Sequence, residues 1–176
     1  MTDLDDLRYP IGRFKSPAGN SSAVRATHIQ TLRQLPVRLS AAVAGLTDAQ
    51  LDTPYRDGGW SLRQVVHHFA DSHANAFIRF KLALTEDWPT IKPYDEAAWA
   101  KLADSAIPID GSLAFVEALH NRWVTLVEAM TEEDFAKGFN HPENGRQNLA
   151  KALAIYDWHS RHHVAHITSL RLRQGW

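Results

Sequence analysis

Residues 149–172 read LAKALAIYDWHSRHHVAHITSLRL, a run with neither proline nor glycine. Ala152, Tyr156, His159, His163, His166 and Leu170 recur at three and four residues, so they share one stripe of an α-helix. Asn148 or a nearby polar residue can start this helix, and Gly175 can stop it. The stripe is apolar at both ends and imidazole in the middle. Such a helix needs partners to cover it, and the rest of the chain supplies three.

From Val24 to Val43 the apolar positions Ile29, Leu32, Leu35, Leu39 and Val43 repeat with the same period, with Ser21 or Ser22 placed to cap the start. Pro36 inside this run predicts a kink near Arg33, or two shorter helices, because proline removes one backbone donor. A capping box at Ser61 and Gln64 opens a helix from Leu62 to about Thr85. Its apolar line runs through Phe69, His73, Phe80 and Leu84. A third long helix begins at Ser112, with Phe115, Leu119, Trp123, Leu126 and Met130 spaced for burial. Thr47 with Gln50, Asp95, and Thr131 with Asp134 each cap a short accessory turn, and residues 105–111 form a crossover loop. Residues 139–146, rich in Asn, Gly and Pro, read as a loop. The fold these segments predict is all-α, a four-helix bundle with a long crossover loop and short accessory helices. It is read as one domain over residues 1–176, with an irregular leader over residues 1–20.

Composition narrows the function. Nineteen Lys and Arg against twenty Asp and Glu leave a formal charge of -1, so no net positive field draws in nucleic acid. No apolar run approaches the roughly 20 residues of a membrane span. The acidic start, with Asp3, Asp5 and Asp6, is unlike a signal peptide, so the expected location is cytoplasmic. With no cysteine, disulfides and thiolate nucleophiles are excluded and a metal can take only N and O ligands.

The ten histidines are the anomaly. His159 and His163 lie four apart on one helix face, about 6 Å apart at Cβ, where two rings can converge on one ion. His162 and His166 form a second such pair, rotated about 60 degrees round the helix. A third ligand is sought among His67, His68 and His73 on the second long helix. His73 falls on the apolar line, where a packed, hydrogen-bonded histidine is the more ordinary reading. His67 and His68 point about 100 degrees apart. His68 is preferred, because it shares its face with Ser72, Asn75 and Arg79, a strip equipped to hold water, substrate and counter-charge. Asp71 can orient an imidazole or be an ordinary helix residue, and Arg79 can hold an anionic group or face solvent. Asp157 reads as a surface acid, and His28 and His120 as isolated histidines. Three neutral nitrogens leave an open position on the ion, the pattern of a catalytic metal site.

Several stretches carry a family resemblance. They are Tyr9-Pro10-Ile11-Gly12, the run from Leu51 to Trp60, Gln64 through His73, Ile78 to Leu82, Lys92-Pro93-Tyr94-Asp95, and Trp158-His159 to Thr168. Through them the chain resembles the DinB/YfiT-like metal-dependent hydrolases, in particular the YfiT-type branch related to the bacillithiol transferases. The resemblance spans nearly the whole sequence. It implies a four-helix bundle, a homodimer, and one divalent metal ion per chain, nickel or zinc. Matched residue by residue, it implies His68, His159 and His163 as the metal ligands.

The expected function is a metal-dependent enzyme, a hydrolase or a low-molecular-weight thiol S-transferase acting on a small electrophilic substrate. Asp71, Asn75 and Arg79 are its candidate catalytic residues. The missing cysteine favours the thiol route, since the chain has no thiol nucleophile of its own. The competing class is a non-catalytic metal-binding or stress-response bundle.

Overall fold

The computed structural model describes residues 4–176. Four long helices dominate it: α2 (Ser22–Val43), α4 (Leu62–Thr85), α6 (Asp110–Glu128) and α8 (Leu149–Gln174). Short helices α1 (Leu4–Arg8), α3 (Asp48–Leu51), α5 (Glu96–Trp99) and α7 (Glu132–Ala136) and a 3-10 turn over Ala103–Ala106 decorate the connections. Helix α2 packs on α6 and α8, and α4 packs on the same two, so α2 and α4 sit across a diagonal of the bundle. Two helices consecutive among the long four are thus not neighbours.

The starts and stops follow the local chemistry. The Ser21, Ser61, Asp95, Thr131 and Asn148 side chains each accept a hydrogen bond from a backbone N–H in the first turn of their helix. At Ser61 and Thr131 a reciprocal bond from the third helical residue completes a capping box. Gly175 ends α8 at φ 71°, the left-handed region where only glycine is unstrained.

Four expectations from the sequence are corrected. Residues 138–148 are not a loop but a hairpin, β1 (Gly138–His141) paired antiparallel with β2 (Gly145–Asn148). Strands of four residues are too short to display alternation, and Pro142 and Asn144 mask them as turn chemistry. The leader is not wholly irregular, since α1 occupies part of it. In α6 the buried line is Val116, Leu119, Trp123 and Val127, while Phe115 is exposed. A helix this amphipathic offers two adjacent apolar rows, and tertiary contacts choose between them. Finally, of the two outcomes expected at Pro36, the division into two shorter helices does not occur, since α2 runs through it as one helix. Proline leaves the carbonyl four residues earlier without its helical N–H, and that carbonyl, of Leu32, is 2.7 Å from Nδ1 of His120. The ring supplies the donor that the proline lacks.

The core falls into two apolar clusters. One gathers Leu32, Phe80, Trp123, Leu149 and Leu153, the other Leu39, Leu62, Val66, Phe69 and Ile167. On α4 His73, and on α8 His159, His162 and His163, lie at the junction in sequence between residues of the two clusters. A polar layer therefore crosses the bundle where its apolar packing is interrupted.

Candidate metal centre

The rings that meet in this layer come from α4 and α8. Ring nitrogens of His68, His159 and His163 all lie within 4.8 Å of one another. The Nε2 atoms of His68 and His159 are 3.1 Å apart. Two nitrogens bound at about 2.0–2.1 Å to one ion are separated by about 3 Å, so the spacing fits a shared cation. Trp60 covers the cluster, with its ring 4.7 Å from His68 and stacked 6.4 Å from His163. Phe69 presents itself edge-on to both His159 and His163.

Burial sets the charge state. It pushes the His68 ring down to about 4, and holds His159 and His163 well below the usual imidazole range, with the neighbouring histidines adding repulsion. All three rings are neutral near neutral pH, the form in which imidazole binds a metal.

Of His67 and His68, it is His68 whose ring joins the cluster. His67 faces away from the cluster, with Nδ1 2.8 Å from the Ser112 hydroxyl and Nε2 3.1 Å from the Ile107 carbonyl. Both its ring nitrogens are engaged in anchoring the crossover loop. Arg63 assists by donating to the Ile107 carbonyl and to Asp48 and Asp52.

The other candidates spread along α4 away from the rings. Asp71 lies against His68, Tyr94 and Glu96 in a crevice with no room for a water molecule. Burial, then repulsion from Asp104, raises its carboxyl above the ordinary aspartate value, and no hydrogen bond joins it to an imidazole among the described contacts. Arg79 lies further along, in an open polar cleft of about 650 Å³ with Glu96, His141 and Glu143. Tyr94 and Glu96 border both the crevice and the cleft, and so stand between the cleft and His68. Asn75 belongs to neither lining; its amide nitrogen is 2.9 Å from the Asp71 carbonyl, turned back on its own helix.

Three side chains read as isolated or exposed are otherwise placed. Asp157 is buried, salt-bridged to Arg161 at 2.7 Å and facing His28 at 3.3 Å. Burial alone would raise its carboxyl, but the hydrogen bonds from Arg161 and the nearby His28 and Thr31 side chains hold it well below the usual range. His28 is thus not isolated, and neither is His120, whose Nε2 is 2.8 Å from His73 Nδ1.

A largely helical bundle with a histidine triad in its interior and a polar cleft nearby is the class of protein that fold and geometry define. Residues 31–167 match the DinB superfamily, and the chain belongs to that family. A protein of Bacillus cereus strain 03BB102 is 55% identical over 173 residues, covering 98% of this chain and 100% of its own. One of Bacillus anthracis is 54% identical over the same length. Both carry the provisional name of metal-dependent hydrolase. Among solved structures, YfiT from Bacillus subtilis superposes with a TM-score of 0.94 at 51% identity, over 97% of this chain and 99% of its own. It is described, again provisionally, as a metal-dependent hydrolase with an unusual four-helix bundle topology. No helix among the described residues is long and apolar enough to cross a membrane.

Proposed function

We propose that this protein is a metal-dependent hydrolase in which His68, His159 and His163 hold one divalent ion, nickel or zinc. The observation that carries the reading is the convergence of three neutral ring nitrogens within 4.8 Å, with a polar cleft on the far side of Tyr94 and Glu96. A divalent ion with an open position lowers the pKa of a water or thiol nucleophile toward neutrality. The chain's own groups do the rest. Asp71, beside His68 and with its carboxyl raised by burial, is suited to accept and return a proton near the reacting atoms. Arg79 supplies the cleft with a fixed positive charge for an anionic part of the substrate. Asn75 braces the Asp71 turn rather than touching substrate.

A second nucleophile, a low-molecular-weight thiol, is favoured by the size of the cleft, which has room for a co-substrate beside the electrophile. The protein has no cysteine to serve in its place. Zinc- or nickel-loaded protein is assayed against a panel of esters, amides and alkyl or aryl electrophiles, with and without small thiols. Metal-dependent turnover without thiol that is lost in His163→Ala supports hydrolysis. Conjugation that scales with thiol supports transfer. No turnover of either kind with full metal occupancy leaves the non-catalytic binding protein as the better account. We also propose a cytoplasmic homodimer, and the mass in sedimentation at working concentration tests its assembly.

A further inference from the structure

Both metal-facing histidines of α8 turn their second nitrogen toward another histidine, and each of those chains of rings ends on a backbone carbonyl. On one side His159 Nδ1 is 3.1 Å from His73 Nε2, His73 Nδ1 is 2.8 Å from His120 Nε2, and His120 Nδ1 is 2.7 Å from the Leu32 carbonyl. On the other side His163 Nδ1 is 3.3 Å from His166 Nδ1, and His166 Nε2 is 3.0 Å from the Arg8 carbonyl.

A carbonyl can only accept, so the last ring in each chain must present its N–H there. A neutral imidazole has one proton, which leaves the other nitrogen of that ring bare and forces its neighbour to donate. The logic passes inward without a choice. His120 donates to Leu32 and accepts from His73; His73 accepts in turn from His159. His166 donates to Arg8 and accepts from His163. His159 and His163 are therefore both left with Nδ1–H and a bare Nε2. The rings are taken as neutral because His73, His120 and His166 are buried and have only other imidazoles and backbone carbonyls as partners.

We propose that His73, His120 and His166 are positioning residues that fix the tautomer and orientation of the two α8 ligands, so that Nε2 of each is presented bare to the metal. The device on the His159 side begins at Pro36, whose missing N–H leaves the Leu32 carbonyl open to His120. The device on the His163 side makes the leader part of the site, because α1 supplies the Arg8 carbonyl. Ligating histidines generally pass their second N–H to a carboxylate, carbonyl or water. Here a second imidazole is interposed, and the anchor is a backbone atom that cannot titrate. The same assignment tells against a second ion at His162, His163 and His166, whose nitrogens also lie within 4.8 Å of one another, because both nitrogens of His166 are engaged, by His163 Nδ1 and by the Arg8 carbonyl.

The inference rests on His159 and His163 being ligands, and the test separates the two ideas. Long-range 15N–1H correlation spectra of the metal-free protein distinguish protonated from bare ring nitrogens. They are expected to show His159, His163, His73 and His120 as Nδ1–H and His166 as Nε2–H, and His159 or His163 as Nε2–H would overturn the proposal. Zinc affinity is then measured by chelator competition. His73→Phe and His166→Phe, each keeping a ring in place, are expected to weaken binding about 10–100-fold. His73→Gln, whose amide oxygen can accept from His159, is expected to recover part of that loss. Undiminished affinity in both Phe variants overturns the proposal while leaving the metal site standing. Wild-type protein that binds no zinc overturns the metal site itself, whereas the spectra still decide the tautomers. Stoichiometry of two ions per chain contradicts the role given to His166. Unaltered circular dichroism in each variant separates lost positioning from lost fold.

Discussion

Acidifying the metal-free protein should unfold it in a pH window that the buried imidazoles define. Burial holds His68, His120 and His166 each at about 4, against an ordinary 6.5. The unfolded chain therefore binds more protons than the bundle between those values. Stability is complete above about pH 6.5, falls as the pH drops toward about 4, and loses nothing further to these groups below that. One pKa unit corresponds to about 1.4 kcal/mol, so at about pH 5 each ring costs about 2 kcal/mol. The three together cost about 6 kcal/mol, against a total stability of roughly 5–15 kcal/mol for an ordinary domain. Urea unfolding followed by circular dichroism, from about pH 7.5 down to about pH 5, measures this directly. His120→Leu is expected to be less stable at every pH, having lost the Leu32 and His73 bonds, yet its dependence on pH should be shallower by about 2 kcal/mol. A flat profile in the wild type, or an equal slope in the variant, would show that these rings are not held neutral by the fold.

Other consequences are simpler to read. Trp123→Ala removes a fully buried indole packed against His73, Phe80 and Tyr156 and should cost about 3–5 kcal/mol in denaturant unfolding. A Cβ on Gly138 would stand 2.1 Å from the Gln147 carbonyl, so Gly138→Ala should cost at least about 1–3 kcal/mol by disrupting the hairpin. Asp71→Asn should lower kcat at unchanged metal content, whereas Arg79→Gln should raise KM for anionic substrates more than it lowers kcat; the opposite split would exchange their roles. Saturating zinc at about 100 times its Kd should stabilise the fold by about 2.7 kcal/mol, visible as a shifted urea midpoint.

The helices were legible because each signal for them is local. Ser61 and Gln64, Thr131 and Asp134, and Gly175 act within one turn of where they stand, and the period of Leu32, Leu35 and Leu39 needs no partner to be seen. The i,i+4 spacing of His159 and His163 likewise put two rings on one face. What the sequence left open depends on which faces meet. His67 and His68 are separated only by the crossover loop, which takes both nitrogens of His67 at Ile107 and Ser112. The burial of Asp157 depends on α2 bringing His28 beside it. His120 could not be connected to Pro36 without the packing of α6 on α2. The hairpin escaped notice because four-residue strands carry too little pattern to outweigh the turn residues between them.

The account turns on a single ion at three named rings, and metal content measures that most directly. Protein stripped with chelator is dialysed against zinc or nickel, freed of excess, and its bound metal measured for the wild type and for His67→Ala, His68→Ala, His159→Ala and His163→Ala. The account predicts one ion per chain in the wild type and in His67→Ala, with occupancy sharply reduced in each of the other three. Full occupancy in His68→Ala, His159→Ala or His163→Ala, or its loss in His67→Ala instead of His68→Ala, would contradict it.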